Sequence, residues 1–253
     1  IHVSNRIDPA DDIEVIHTEL ALADLETLDK RVEKLQKQIR GLDAAGKKEA
    51  DKELSGLAKV RVALQEGKAA RSVALDDDEA EAVKKSFLIT MKKEVYVCNV
   101  DEAGAKAGNA YVEVVKKIAA SEGAEAVVIC GKFEAELADL SSEEEKKEFL
   151  AELGLEESGL SALIHAAYRL LGLRTFFTAG QDECRAWTIR VGDKAPQAAG
   201  VIHTDFEKGF IKAEVYGYSD IVSLGSEKAI REAGKLRQEG RDYVVQDGDV
   251  MFF

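Results

Sequence analysis

The chain has 253 residues, 45% of them hydrophobic and 33% charged, with a formal net charge of −13. That apolar fraction excludes wholesale disorder, no run approaches the length of a membrane span, and two prolines exclude Pro-rich linker and collagen-like classes. The acidic balance means that any nucleic-acid contact needs a local basic patch. At roughly 100–200 residues per domain the length predicts one to three domains. Ile1-His2-Val3 has strand character and Asp8-Pro9 interrupts it, with Asp11 and Asp12 as N-cap and first-turn residues of a helix. The pattern to about residue 70 is helical. Ile13, Ile16, Leu20 and Ala23 keep helical spacing, and Leu25, Leu28, Val32, Leu35, Ile39 and Leu42 form a heptad seam. Gly41 to Gly46 breaks the seam, and a second helix from about Lys47 carries Leu54, Leu57, Val60 and Leu64, which predicts an antiparallel helical hairpin. Asp76-Asp77-Asp78 opens a short acidic helix reaching about Phe87.

The pattern then changes. Glu94–Cys98 reads as a strand, and Asn99-Val100-Asp101-Glu102 as a loop. A helix comes next with Tyr111, Val114, Val115 and Ile118 on one face, and Ala126–Cys130 is a second strand before Gly131-Lys132. Strand, helix, strand at this spacing implies a parallel sheet. Two more helices lie near Glu143–Leu153 and through Leu160, Leu163, Ile164, Ala167 and Leu171. Two strands are too few for a stable sheet of this kind. The chain opens at Ile1 rather than Met, and further strands are expected from residues upstream of it. From Gly172 short strands at Thr175–Thr178, Ala186–Val191, Phe210–Tyr216, Asp242–Val245 and Val250–Phe253, with a helix near Glu227–Leu236, predict a small α+β domain. Its 11 Lys and Arg nearly balance 13 Asp and Glu, against 24 and 35 in the rest of the chain. Within it Lys208, Phe210 and Lys212 would share one strand face, a basic pair around an aromatic suited to RNA, unless Phe210 belongs to the core.

Chemistry-bearing motifs are few. Gly41–Lys48 satisfies G-x-x-x-x-G-K but has Lys48 where a P-loop needs Ser or Thr, and it comes after a helix rather than a strand, so it reads as the hairpin turn. Cys98, Cys130 and Cys184 are too sparse for a disulfide framework or a zinc site, and the first two end apolar runs as small buried hydrophobes do. His2, His17, His165 and His203 share no metal-ligand spacing, and no metal site is assigned. Asn99–Glu102 lies where ligands bind in parallel sheets, at the carboxyl end of a strand. Spacing alone does not separate a ligand-binding turn from a plain helix N-cap there.

Several stretches are more specific: Ile1-His2-Val3-Ser4, Asp11 through Ile16 into Glu19–Glu26, Asn99-Val100-Asp101-Glu102, Lys132–Leu137, Phe176–Gly180, Ala195–Ile211 and Asp242–Met251. Along its whole length the chain resembles the later two-thirds of an Obg-like ATPase of the YchF family. The resemblance implies an α/β fold, the C-terminal part of a P-loop GTPase-like parallel-sheet domain with an inserted antiparallel helical hairpin, and a C-terminal α+β β-grasp (TGS) domain. It assigns residues 1–10 and 87–171 to the nucleotide domain, 11–86 to the coiled-coil arm and 172–253 to the TGS domain. It implies ATP binding and hydrolysis with Mg²⁺, association with the ribosome through its large subunit and rRNA, a cytoplasmic location and a role in translation or stress response. In this family N-x-x-E replaces N-K-x-D, which maps base contact onto Asn99, Val100 and Glu102, with Gly131 and Lys132 as the second base-side loop. The Asp of N-K-x-D accepts from guanine's N1 and N2 donors, and lengthening it to Glu moves that acceptor. His2 maps to a histidine implicated in hydrolysis; as a structural residue it would simply close a strand. No Ser/Thr-terminated P-loop is present in these 253 residues, so the chain by itself is expected to have negligible ATPase activity and weak nucleotide binding. The alternative is a non-catalytic module that binds RNA or protein through the arm and TGS domain.

Overall fold

The computed structural model describes residues 7–180 and 183–253, so His2 lies outside the described residues. The chain forms two compact units, one ending at Leu163 and the other running from Ile164 to Phe253.

In the first unit α1 (Pro9–Ile39) and α2 (Ala44–Gln65) form a helical hairpin. Asp8, not Asp11, caps α1: its side chain accepts from the Asp11 N–H at 3.3 Å, and Pro9 takes an opening helical position, where its missing N–H costs nothing. Asp43 caps α2 by accepting from the Gly46 N–H at 2.8 Å, so α2 begins before Lys47. Leu28 meets Leu57, Val60 and Leu64 in a shared core, and Arg31 forks onto Glu53 at 2.5 and 2.9 Å. Because Glu53 is itself buried, this two-bond geometry fixes the register of the hairpin. The predicted seam holds from Leu25 to Ile39; its last member, Leu42, is exposed beyond the end of α1. Before the seam the inward face is Leu20, Ala21 and Asp24, while Ile16 is exposed.

Asp24 explains that shift in phase. It is buried and accepts from the backbone N–H groups of Ile89 and Thr90, both at 2.7 Å, and from the Thr90 hydroxyl at 2.6 Å. Thr90 Oγ1 in turn accepts from the Ala70 N–H at 3.0 Å. One carboxylate thus ties α1 to the segment leading into the sheet. α3 (Asp77–Lys84) starts with a capping box between Asp76 and Glu79.

β1 (Val95–Asn99) and β2 (Glu125–Ile129) pair in parallel, Val95 opposite Glu125 and Asn99 opposite Ile129. Between them run α4 (Glu102–Ala107) and α5 (Ala110–Ser121). α5 buries Val112, Val115 and Ala119; Tyr111 and Val114, expected on the inner face, are exposed. α6 (Gly131–Asp139) and α7 (Glu143–Leu153) come next, and α8 (Gly159–Leu171) contains the division between the units.

The second unit is a mixed sheet of β3 (Leu173–Ala179), β4 (Cys184–Arg190), β5 (Ala213–Gly217), β6 (Arg237–Glu239) and β7 (Asp249–Phe252) in the order β4-β3-β7-β5-β6, with β3 and β7 parallel. Strand alternation sends Phe176, Val215 and Met251 toward α9 (Ala195–Ile202), after which comes the short α10 (Thr204–Gly209). Phe177, Tyr216 and Val250 face α11 (Tyr218–Leu224) and α12 (Glu227–Glu232). Two expectations are corrected by this unit, and a stretch with no predicted element is helical. Asp242–Val245 is not a strand but makes an isolated bridge between Val244 and Lys194. Residues 195–209 are helical apart from His203. Phe210 is buried in the core, with Lys208 on α10 and Lys212 before β5, so the basic pair around a free aromatic does not form.

Candidate functional site

The parallel ladder sets the site. Beyond β1 the Val100 N–H donates to the Ile129 carbonyl at 2.9 Å, which carries the pairing one residue past Asn99 and aligns the ends of β1 and β2. Asp101 then caps α4, accepting from the Gly104 N–H at 2.8 Å, and Glu102 opens the helix. Gly104 is closely packed: an added Cβ would lie 2.9 Å from Asn109 Nδ2 and 3.0 Å from both Asp101 Oδ1 and Val100 Cβ. After β2, Cys130 precedes α6, and Gly131 and Lys132 form its first turn.

The two loops meet. Asn99 Oδ1 accepts from the Gly131 N–H at 3.3 Å. Lys132 Nζ pairs with Glu102 Oε1, and Glu136 lies one turn along α6 at 3.9 Å. The neighbouring Glu102 carboxylate holds the Lys132 ammonium above the usual lysine range. Asn99, Glu102, Gly131 and Lys132, 30 or more residues apart across the loops, therefore form one polar constellation at the carboxyl ends of two parallel strands. Side chains Glu102 and Lys132 remain solvent-accessible. A cleft of about 520 Å³ runs beside β1 and reaches Asn99, Val100 and Asp101, with Ile13, Val97 and Tyr111 among its apolar lining. A side-chain amide, a paired carboxylate and ammonium, and the N–H groups of a helix start next to an apolar cleft suit a planar heterocycle with polar edges.

A second cluster was not legible in the sequence. His17 on α1, Glu94 and Tyr96 at β1, Glu122 after α5, and Arg71 converge at the base of the hairpin. The Tyr96 hydroxyl donates to Glu122 at 2.6 Å and lies 3.1 Å from His17 Nε2. His17 Nε2 is 3.5 Å from Glu94, and Nδ1 is 3.7 Å from Glu122. Arg71 pairs with Glu94 and lies 3.7 Å from Glu122. The ring nitrogen and two carboxylates come within 4.8 Å of one another, as metal ligands would, but Arg71 already supplies a cation there. Burial, then the hydrogen-bonded Glu122, pushes the Glu94 carboxyl above the usual range. A carboxyl raised by folding contributes stability while protonated, and that contribution is lost as pH rises through its folded value. The melting-temperature difference between Glu94→Gln and the parent chain is therefore expected to move in favour of Gln from pH 5 to pH 8. An unchanged difference would show that Glu94 carries no such burden.

Cys130 is buried, Cys98 is half-buried with its thiol pushed up by burial, and Cys184 is exposed. Among the described residues no helix is long and apolar enough to cross a membrane.

The profile of the family YchF-GTPase_C, described as "Protein of unknown function (DUF933)", matches residues 173–253. The Haemophilus influenzae protein named "Ribosome-binding ATPase YchF" is 51% identical over the whole chain, which spans 68% of that protein. The Bacillus subtilis protein of the same name is 48% identical at the same coverage, and Gallus gallus "Obg-like ATPase 1" is 43% identical, with 64% of its length covered. The solved "Structure of the Schizosaccharomyces pombe YchF GTPase" aligns with all of this chain and 68% of its own, at a TM-score of 0.82 and 36% identity. Identity of this level across both units places the chain in the YchF family of Obg-like ATPases.

Proposed function

We propose that this chain supplies the base-recognition half of an ATP-binding and ATP-hydrolysing site in a ribosome-associated protein. The observation that carries this is the meeting of Asn99 and Glu102 with Gly131 and Lys132 at the carboxyl ends of β1 and β2, where nucleotides bind in parallel α/β sheets. The names of the relatives support the reaction class and the ribosome as partner. In this reading residues 1–10 and 87–171 are nucleotide domain, 11–86 an arm inserted in it, and 172–253 a TGS domain of β-grasp type. Asn99 presents donor and acceptor to the base. The backbone at Val100 and the Gly131 N–H line its edge, and the cleft beside β1 takes its apolar face. Mg²⁺, when bound, would supply positive charge against the charge that develops on the phosphates. This sequence has no Gly-Lys-Ser/Thr loop to hold it, so no residue of the chain is assigned to the metal. The ribosomal contact is proposed to involve the large subunit and rRNA, and a salt-sensitive co-sedimentation with ribosomes is the expected result. Failure to sediment at low salt would remove that partner.

Base choice is the sharper test. In the protein taken at the full length of its relatives, Glu102→Asp is expected to shift preference toward GTP, because the shorter carboxylate restores the acceptor position that faces guanine N1 and N2. Calorimetric titration with both nucleotides measures it. Unchanged ATP and GTP affinities would exclude Glu102 from the base pocket.

A further inference from the structure

The Lys132–Glu102 ion pair lies between the two loops of the proposed base site, beyond the lining of the cleft beside β1. Lys132 sits in the first turn of α6 and Glu102 in the first turn of α4, so the contact joins the two loops that meet the base. Lys132 does not pair with Glu102 by sequence proximity, and its own-helix partner Glu136 is the more distant at 3.9 Å. The carboxylate is thus held by a cation from the opposite loop.

This changes what Glu102 can offer a base. In N-K-x-D the unpaired carboxylate meets two guanine donors, N1–H and the N2 amino group. An ammonium has three donors and no acceptor. With Lys132 Nζ seated on Glu102, a base whose ring position 1 met this pair would meet a donor. Adenine N1 is an acceptor and fits a donor there; guanine N1–H is itself a donor and opposes it. We infer that Lys132 is a specificity-determining residue, which covers the Glu102 carboxylate and presents its ammonium to adenine N1. The inference rests on the reading of Asn99–Glu102 as the base site. It adds a positive adenine contact to what would otherwise be only the loss of a guanine contact.

The pair is exposed, so its strength comes from the ligand that covers it and not from the free protein. Removal of Lys132 should leave folding intact, which a melting curve checks. The test is calorimetric titration of ATP, GTP and 1-deaza-ATP, which lacks the N1 acceptor, into the protein at the full length of its relatives. Parent, Lys132→Ala, Lys132→Met and Asn99→Ala proteins are compared. The parent is expected to bind 1-deaza-ATP about fivefold more weakly than ATP, the worth of one ordinary hydrogen bond. Lys132→Ala and Lys132→Met are expected to lose that penalty and to move the ATP-to-GTP affinity ratio toward GTP by about fivefold, as the donor that suits adenine N1 and opposes guanine N1–H is removed. An unchanged ratio and an unchanged 1-deaza penalty, with ATP still bound and Asn99→Ala still weakening it, would overturn the role of Lys132 alone. ATP affinity indifferent to Asn99→Ala, or no ATP binding by the parent, would overturn the base-site reading and the inference with it.

Discussion

Asp24→Ala is expected to lower the stability of the first unit by about 3 kcal/mol, since it leaves the N–H and hydroxyl of buried Thr90 and the part-buried N–H of Ile89 without their acceptor. For a unit of this size that corresponds to a fall in melting temperature of roughly 6–12 °C. Asp24 is almost wholly buried, so water does not readily replace the lost carboxylate. The segment it holds, Ile89-Thr90, lies only a few residues before β1, so the same change should loosen the start of the strand that ends at Asn99. Asp24→Asn keeps one acceptor and should cost less. Thermal melts of both variants check the order. Equal losses for Ala and Asn would show that charge, and not the number of acceptors, is what the site uses.

His2→Ala is expected to have the largest effect on turnover. In the protein at the full length of its relatives, kcat should fall by about 10²-fold or more, the usual worth of a positioned acid or base, with ATP affinity little changed. Such a split marks an interaction made mainly in the transition state. The expectation rests on the match of Ile1-His2-Val3 to the family, as His2 lies outside the described residues. Single-turnover hydrolysis and ATP titration together decide it. A preserved kcat would make His2 structural.

The parts of the fold that depend on periodicity were legible. Leu28, Leu35, Leu57, Val60 and Leu64 are buried as their helical spacing requires, and the apolar runs at β1 and β2 pair in parallel as strand–helix–strand order requires. Legibility failed where a polar group does the work of an apolar one. Asp24 and Glu53 are buried on faces that a hydrophobic pattern assigns to leucines, because each is fully partnered by groups far away in sequence. The Tyr96 cluster failed for the same reason: five side chains from four segments carry no shared spacing. In the second unit, turn chemistry outweighed strand propensity. Asp249 is buried and accepts from the Tyr243 hydroxyl at 2.7 Å and the Gln246 N–H at 2.8 Å, which curls residues 243–249 out of a strand. Burial and then Asp249 push the Tyr243 hydroxyl up to about 12. Of the proposed site, the motif Asn99-x-x-Glu102 and the loop at Gly131-Lys132 were readable through the resemblance. The ion pair to Lys132 was not, since nothing in the sequence says how a long side chain will turn.

The central claim is that the ends of β1 and β2 form the base site. The most direct measurement is the amide spectrum of this 253-residue chain titrated with ATP to millimolar concentration. The Gly131 amide, which donates to Asn99, should shift together with those of Val100, Glu102 and Lys132, and the amides of the sheet from Leu173 to Phe252 should not. ATP-dependent shifts confined to the helical hairpin or to the second unit, with Gly131 and Val100 unmoved, would contradict it.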